Sequence, residues 1–255
     1  MIIPDFSDPA IWLSLLTLTF LEIVLGVDNI IFISIISDKL KPEQQKRART
    51  IGLLLAMLFR IALLMGITWL MRLTQPLFVL PFIKTGGQPI GISWKDLILM
   101  AGGIFLVAKS TLEIHHKLEK SIDDEQGKKA THASIRNVIV QIVLIDAVFS
   151  FDSILTAIGL VEEVVIMIIA VVISIFIMIA FSGAISRFIN NNPTLQMLAL
   201  SFLIAIGIML VAEGFHQKIS KSYIYTTIAF SLVVELLNMK LRKRNEAIQL
   251  KKGSK

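Results

Sequence analysis

Seven stretches of this sequence, at 10–37, 50–74, 95–112, 135–160, 162–184, 194–214 and 222–239, are apolar almost throughout. A helix needs about 20 mostly apolar residues to cross a hydrocarbon core about 30 Å thick, and each stretch is close to or beyond that length. The chain therefore reads as an all-α, polytopic transmembrane protein with seven spans. Composition agrees, since 55% of the 255 residues are hydrophobic and the mean hydropathy is +0.77, too apolar for a water-soluble domain of this size. The opening residues, MIIPDFSDPA, lack a basic region and carry Asp5 and Asp8, so the first helix is expected to stay in the mature protein.

The basic residues alternate between connections. Nineteen Lys and Arg fall in 38–49, in 109–136, at Arg187 and in the tail from Lys240, against five at Arg72, Lys84, Lys95, Lys218 and Lys221. By the positive-inside rule the crowded side is cytoplasmic, which puts the N-terminus outside and the C-terminus inside. The net charge of +6 thus sets topology and meets anionic lipid. No nucleic-acid partner is expected. The chain has no Cys, which removes disulfides and thiolate metal ligands.

The sequence also repeats. LEIVLGVDN aligns with IDAVFSFDS, so that Glu22 falls on Asp146, Asp28 on Asp152 and Asn29 on Ser153. Further on, GIFLVAK from Gly103 aligns with GIMLVAE from Gly207, in the same order along the chain. Each copy holds three spans, and an odd number forces the second copy to enter the membrane from the opposite face. Two inverted three-helix repeats plus one extra helix are therefore expected, a plan typical of secondary transporters whose substrate sites lie at mid-membrane. The domain reading is one membrane domain: repeat one at 10–112, a cytoplasmic linker at 113–134, repeat two at 135–214, the seventh helix at 222–239 and a basic cytoplasmic tail at 240–255.

Glu22 and Asp28 flank the middle of the first span, and Asp146 and Asp152 sit likewise in the fourth. A charge at membrane depth costs at least about 2.5 to 3.5 kcal/mol, so these carboxylates must face one another, water or a cation. At 100° per residue Glu22 shares a face with Asn29, and Asp146 with Ser153, whereas Asp28 and Asp152 point about 120° away. Gly26 and Ser150 occupy equivalent places between the acids, and a helix break or bend at each is expected to turn Asp28 and Asp152 inward. The predicted metal site is then Glu22, Asp28, Asn29, Asp146, Asp152 and Ser153. Such an oxygen-rich set suits Mn²⁺, Mg²⁺ or Ca²⁺, and its need for deprotonated ligands couples cation binding to protons.

Arg60 is the other charge inside a span and is a candidate partner that neutralises the acids when no cation is present. Lys109 and Glu213 end the second matched pair and read as interfacial contacts or a salt-bridged gate. Glu113, His116 and Glu119 share a helix face that could sense metal or pH, or simply be a solvated helix end. The Met residues read as apolar filler. No P-loop, HExxH or GxSxG pattern is present, which leaves ATP-driven transport and the familiar hydrolase chemistries without support.

The pair TLTFLEIVLGVDNIIFISI and QIVLIDAVFSFDSILTAIGL, with MLALSFLI later in the chain, resembles the TerC family of bacterial integral membrane proteins, in the branch built of the membrane domain alone. The resemblance implies seven helices and family motifs at Glu22, Asp28, Asn29, Asp146, Asp152 and Ser153. It also implies Mn²⁺ rather than another hard cation, carried outward, and a historical link to tellurite resistance. The expected function is secondary export of a divalent cation by proton exchange, with the cation as transported substrate and no tightly bound cofactor. The expected partners are that cation, protons and membrane lipids, with homo-oligomerisation left open. The rival readings are an intramembrane aspartyl protease-like enzyme, which the lack of a GxGD pattern disfavours, and a non-transporting membrane scaffold.

Overall fold

The computed structural model of the chain describes residues 6–85, 88–123, 133–158, 163–217 and 219–253. Helix α1 spans Pro9–Ser37, started by Asp8, whose carboxylate accepts from the Ala10 N–H at 2.8 Å, and by Pro9 in the first turn, where its missing N–H costs nothing. Helix α2, Pro42–Met65, also opens on a proline and stops at Gly66. A six-residue α3, Ile67–Arg72, leads into strands β1, Pro76–Thr85, and β2, Gln88–Ser93, which pair antiparallel with Phe78 opposite Ile92 and Leu80 opposite Ile90. Then come α4, Trp94–Asp123, α5, Ile135–Ile158, α6, Val164–Asn190, α7, Pro193–Gly214, and α8, Lys221–Gly253.

Six of these helices are long and apolar enough to cross a membrane: α1, α2, α4 to Glu119, α6, α7, and Ser222–Leu241 of α8. The seventh sequence-predicted span is α5, whose 24 residues include Arg136, Asp146 and Asp152. The protein is thus a polytopic helical membrane protein whose large apolar side chains are of two kinds. Phe32, Ile36, Leu53, Leu99, Leu106 and Ile142 are fully buried between helices, while Leu13, Leu16, Phe20, Phe176 and Phe230 stand on the outside, as a lipid-facing surface requires.

Three expectations about element limits need correcting. The second span begins at Pro42 rather than near 50, because the basic run QQKRAR is helical and the bundle takes in Arg49, which donates to Ser186 Oγ at 3.2 Å and to Ser37 Oγ at 3.4 Å. The expected linker at 113–134 is helical up to Asp123, tied along α4 by Lys109–Glu113 at 2.8 Å and His115–Glu119 at 3.2 Å, both four residues apart. The basic tail at 240–255 carries α8 on to Gly253. The hairpin β1–β2 has no counterpart in the sequence reading.

Helix packing can be compared with the repeat expected from the sequence. If α1, α2 and α4 correspond to α5, α6 and α7, exchanging the halves turns the α1–α6 contact into α5–α2 and leaves α4–α7 unchanged. These are the three most extensive helix pairings in the structure. The exchange also leaves Gly103 and Gly207 facing each other. A methyl on Gly103 would lie 2.5 Å from the Gly207 carbonyl oxygen, and one on Gly207 would lie 2.8 Å from that of Gly103, so both positions need glycine for backbones to meet at this crossing. Because α1 packs on α6 and α2 on α5, the two halves are interleaved and do not form two separate bodies.

Candidate functional site

Glu22 lies near the middle of α1 and Asp146 near the middle of α5, about 17 to 22 Å from the helix ends at 1.5 Å per residue. Both are buried, and Arg60 of α2, itself 2% exposed, bridges them. Its Nε donates to Asp146 Oδ2 at 3.1 Å and its Nη2 to Asp146 Oδ1 at 2.8 Å, forming a two-pronged fork. Its Nη1 donates to Glu22 Oε2. The rigid, permanently charged guanidinium suits this role, since it can grip one carboxylate with two parallel bonds while a third nitrogen edge reaches the other.

Asp146 is further enclosed by Ser150, which donates to Oδ2 at 2.9 Å, and by the Asn29 amide, which donates to Oδ1 at 3.1 Å. The Ser150 hydroxyl and the Arg60 fork thus occupy both carboxylate oxygens. Asn29 is 2% exposed, and its Oδ1 accepts no hydrogen bond among the described residues. An amide oxygen buried without a donor is costly, and one on a side chain bonded to a carboxylate is a ready cation ligand. Ser153, also buried, donates back to the Ser150 carbonyl at 3.3 Å. Beside Glu22 is a space of about 10 Å³ among Leu18, Leu64, Ile154, Met167, Ala170 and Val171, which is near the minimum for one water. Among the described residues this space is too small for a hydrated ion.

Of the residues predicted from sequence, Glu22, Asn29, Asp146 and Ser150 come together around Arg60, with Ser153 one turn along α5. The side chains of Asp28 and Asp152 lie outside the described residues. Among the described residues no three His, Cys, Asp or Glu side chains form a group that could hold a metal. The expected helix breaks do not occur: α1 runs unbroken through Gly26 and α5 through Ser150. The small residues serve other ends. Gly26 lets α6 approach, since a methyl there would lie 2.6 Å from Met178 Sδ, and Ser150 supplies a donor to Asp146. Convergence comes from helix crossing, with Arg60 as the centre, and not from local unwinding.

The outlying candidates resolve separately. Glu113 is fully buried between Lys39, at 2.6 Å, and Lys109, at 2.8 Å, and it does not join His116 and Glu119. Lys109 and Glu213 are at opposite ends of the bundle, Glu213 lying 3.7 Å from Lys95. Near the Lys39 end, Asn190 donates to Asp38 at 2.9 Å, and Lys117 donates to Gln196. Near the Lys95 end, His216 Nε2 lies 3.1 Å from Asp96 Oδ2. Met178 reads as apolar filler in the sequence, and it is the packing of α6 on α1 at Gly26 that singles it out.

This combination defines a class: a multi-pass helical membrane protein that buries two acidic side chains, from two internally similar helices, around one guanidinium. More particularly, the chain belongs to the TerC family of integral membrane proteins, whose model matches residues 7–249. It is 46% identical over 236 residues to the UPF0053 inner membrane protein YoaE of Escherichia coli (strain K12), covering 92% of this chain and 44% of YoaE. It is 46% identical over 232 residues to the UPF0053 protein YegH of the same organism, covering 91% of this chain and 42% of YegH. To the UPF0053 inner membrane protein YgdQ, also of Escherichia coli (strain K12), it is 45% identical over 245 residues, covering 96% of this chain and 99% of YgdQ. The chain thus spans less than half of YoaE and YegH but nearly all of YgdQ. No solved structure matches it.

Proposed function

We propose that this protein is a secondary transporter that moves a divalent cation, Mn²⁺ above all, out of the bacterial cytoplasm across the inner membrane in exchange for protons. The observation that carries the reading is Arg60. A buried cation already holds the two carboxylates that sequence duplication makes equivalent, so the cluster is built to bind positive charge at mid-bundle. Arg60 is its tethered occupant when the substrate is absent. A divalent cation bound by Glu22, Asp146 and the free Asn29 oxygen displaces the guanidinium, and return of the guanidinium displaces the cation. Asp28 and Asp152 belong to the oxygen set expected from the sequence, and their side chains lie outside the described residues. The choice of Mn²⁺ and the outward direction rest on the family resemblance.

The interleaved packing bears on how access alternates. Rocking one half against the other would break α1–α6, α2–α5 and α4–α7 together, so motion within this protein is better assigned to α1, α2, α5 and α6 shifting against the α4–α7 pair. An aspartyl-protease-like enzyme is less well supported, since the acids lie in GVDN and SFDS and the sequence has no GxGD pattern. The test is a panel of Mn²⁺, Mg²⁺, Ca²⁺ and Zn²⁺ fluxes in liposomes containing the purified full chain, with and without a pH gradient. Mn²⁺ flux accelerated by the gradient is expected. Absence of flux for every cation sinks the proposal, and flux indifferent to the gradient removes the proton exchange.

A further inference from the structure

The duplication assigns Arg60 an unlike counterpart. Arg60 reaches from α2 to the Asp146–Ser150 turn of α5. Exchanging the halves turns α2 into α6 and that turn into Glu22–Gly26 of α1, and the side chain of α6 seated there is Met178. Met178 is 1% exposed, and its sulfur packs against the bare backbone at Gly26. Gly26 is four residues after Glu22 and three before Asn29, so all three share one helix face. The thioether therefore lies against the row of α1 positions that holds residues 22, 26 and 29, with Gly26 about one turn from each of the other two along the helix axis. Among the described residues, Asn29 Oδ1 is the buried acceptor without a donor on that row.

A thioether is a soft, polarizable donor that adds little to Mg²⁺ or Ca²⁺, which take oxygen ligands, but contributes to transition-metal and Cd²⁺ binding. We propose that Met178 is the specificity-determining residue of this site, a soft donor beside Glu22 and Asn29 that favours transition-metal cations over Mg²⁺ and Ca²⁺. This rests on the transport reading above, and adds to it how the cation is chosen against the far more abundant hard ions. The same row explains why residue 26 is glycine: any side chain there would push the sulfur off the helix face.

The experiment compares wild-type full-length protein with Met178→Leu, which keeps an apolar chain of similar volume against Gly26 but removes the sulfur. Liposome fluxes of Mn²⁺ and Cd²⁺ are measured with Mg²⁺ as competitor. The expected result is a loss of discrimination against Mg²⁺ of roughly tenfold in Met178→Leu, about 1.4 kcal/mol of differential binding. Wild-type flux together with unchanged discrimination in Met178→Leu overturns the role of Met178 and leaves the transport reading standing. No flux of any cation through the wild type overturns both. Should Met178→Leu not fold, cadmium-edge X-ray absorption on selenomethionine-labelled wild type decides: a Cd–Se neighbour supports the assignment, and a shell of oxygen neighbours alone overturns it.

Discussion

Replacing Arg60 by Gln removes the only described cation that touches Glu22 or Asp146, with three charge-assisted hydrogen bonds. Glu22 and Asp146 are 7% and 4% exposed, so neither recovers what it loses from water. Removing one partner of a buried ion pair costs about 3 to 5 kcal/mol, because the remaining charge is left uncompensated. Asn29 and Ser150 still donate to Asp146, which keeps the expected loss near the lower end of that range. The two carboxylates are then free for a divalent cation that no longer competes with a tethered guanidinium. Mn²⁺ at about a hundred times its dissociation constant stabilises by about 2.7 kcal/mol, so it should restore most of the deficit in Arg60→Gln. In wild type part of that binding energy is spent on displacing Arg60, and the stabilisation is smaller. The assay is thermal unfolding of detergent-solubilised protein, followed by tryptophan fluorescence, over a Mn²⁺ titration. A variant as stable as wild type without metal, or one that Mn²⁺ stabilises no more than wild type, refutes the reasoning.

Other outcomes follow from single contacts. Gly103→Ala places a methyl 2.5 Å from a backbone carbonyl that cannot swing aside, and should cost about 3 kcal/mol in the same unfolding assay; Gly183→Ala, with nothing within 4 Å, should be neutral or gain up to about 1 kcal/mol from helix propensity. Gly26→Ala meets only the movable end of Met178, so its stability loss should be smaller, about 1 kcal/mol, while its metal discrimination shifts in the direction of Met178→Leu. Glu113→Gln leaves Lys39 and Lys109 facing each other without the buried carboxylate between them, and should lower stability by about 3 kcal/mol without altering the preference among cations.

Hydropathy carries most of this fold because lipid leaves the backbone few alternatives: α1, α5, α6 and α7 fall close to where apolar runs place them, and α4 and α8 begin there but run on past them. It misplaces α2, since a basic run such as QQKRAR reads as a loop until Ser37 and Ser186 are seen to receive Arg49. The hairpin from Pro76 to Ser93 escaped because its pairing, with irregular register between Leu80 and Lys84, lacks a clean alternation. Duplication draws attention to Glu22, Asn29 and Asp146 and charge to Arg60, and these are the side chains that the structure brings into contact. What sequence spacing could not supply was the crossing of α1 on α6 and α2 on α5. That crossing brings the carboxylates together without a helix break and puts Met178 against Gly26.

The central claim is that the paired carboxylates of α1 and α5 carry a divalent cation. Its most direct test is Mn²⁺ flux into liposomes across an imposed pH gradient, comparing wild type with Asp146→Asn, a change that keeps the side chain's shape and removes the charge Arg60 holds. The account expects gradient-driven flux in wild type and a loss of at least about tenfold in Asp146→Asn, as befits removal of a charged ligand worth more than 1.4 kcal/mol. Flux at the wild-type rate through a folded Asp146→Asn protein would contradict it.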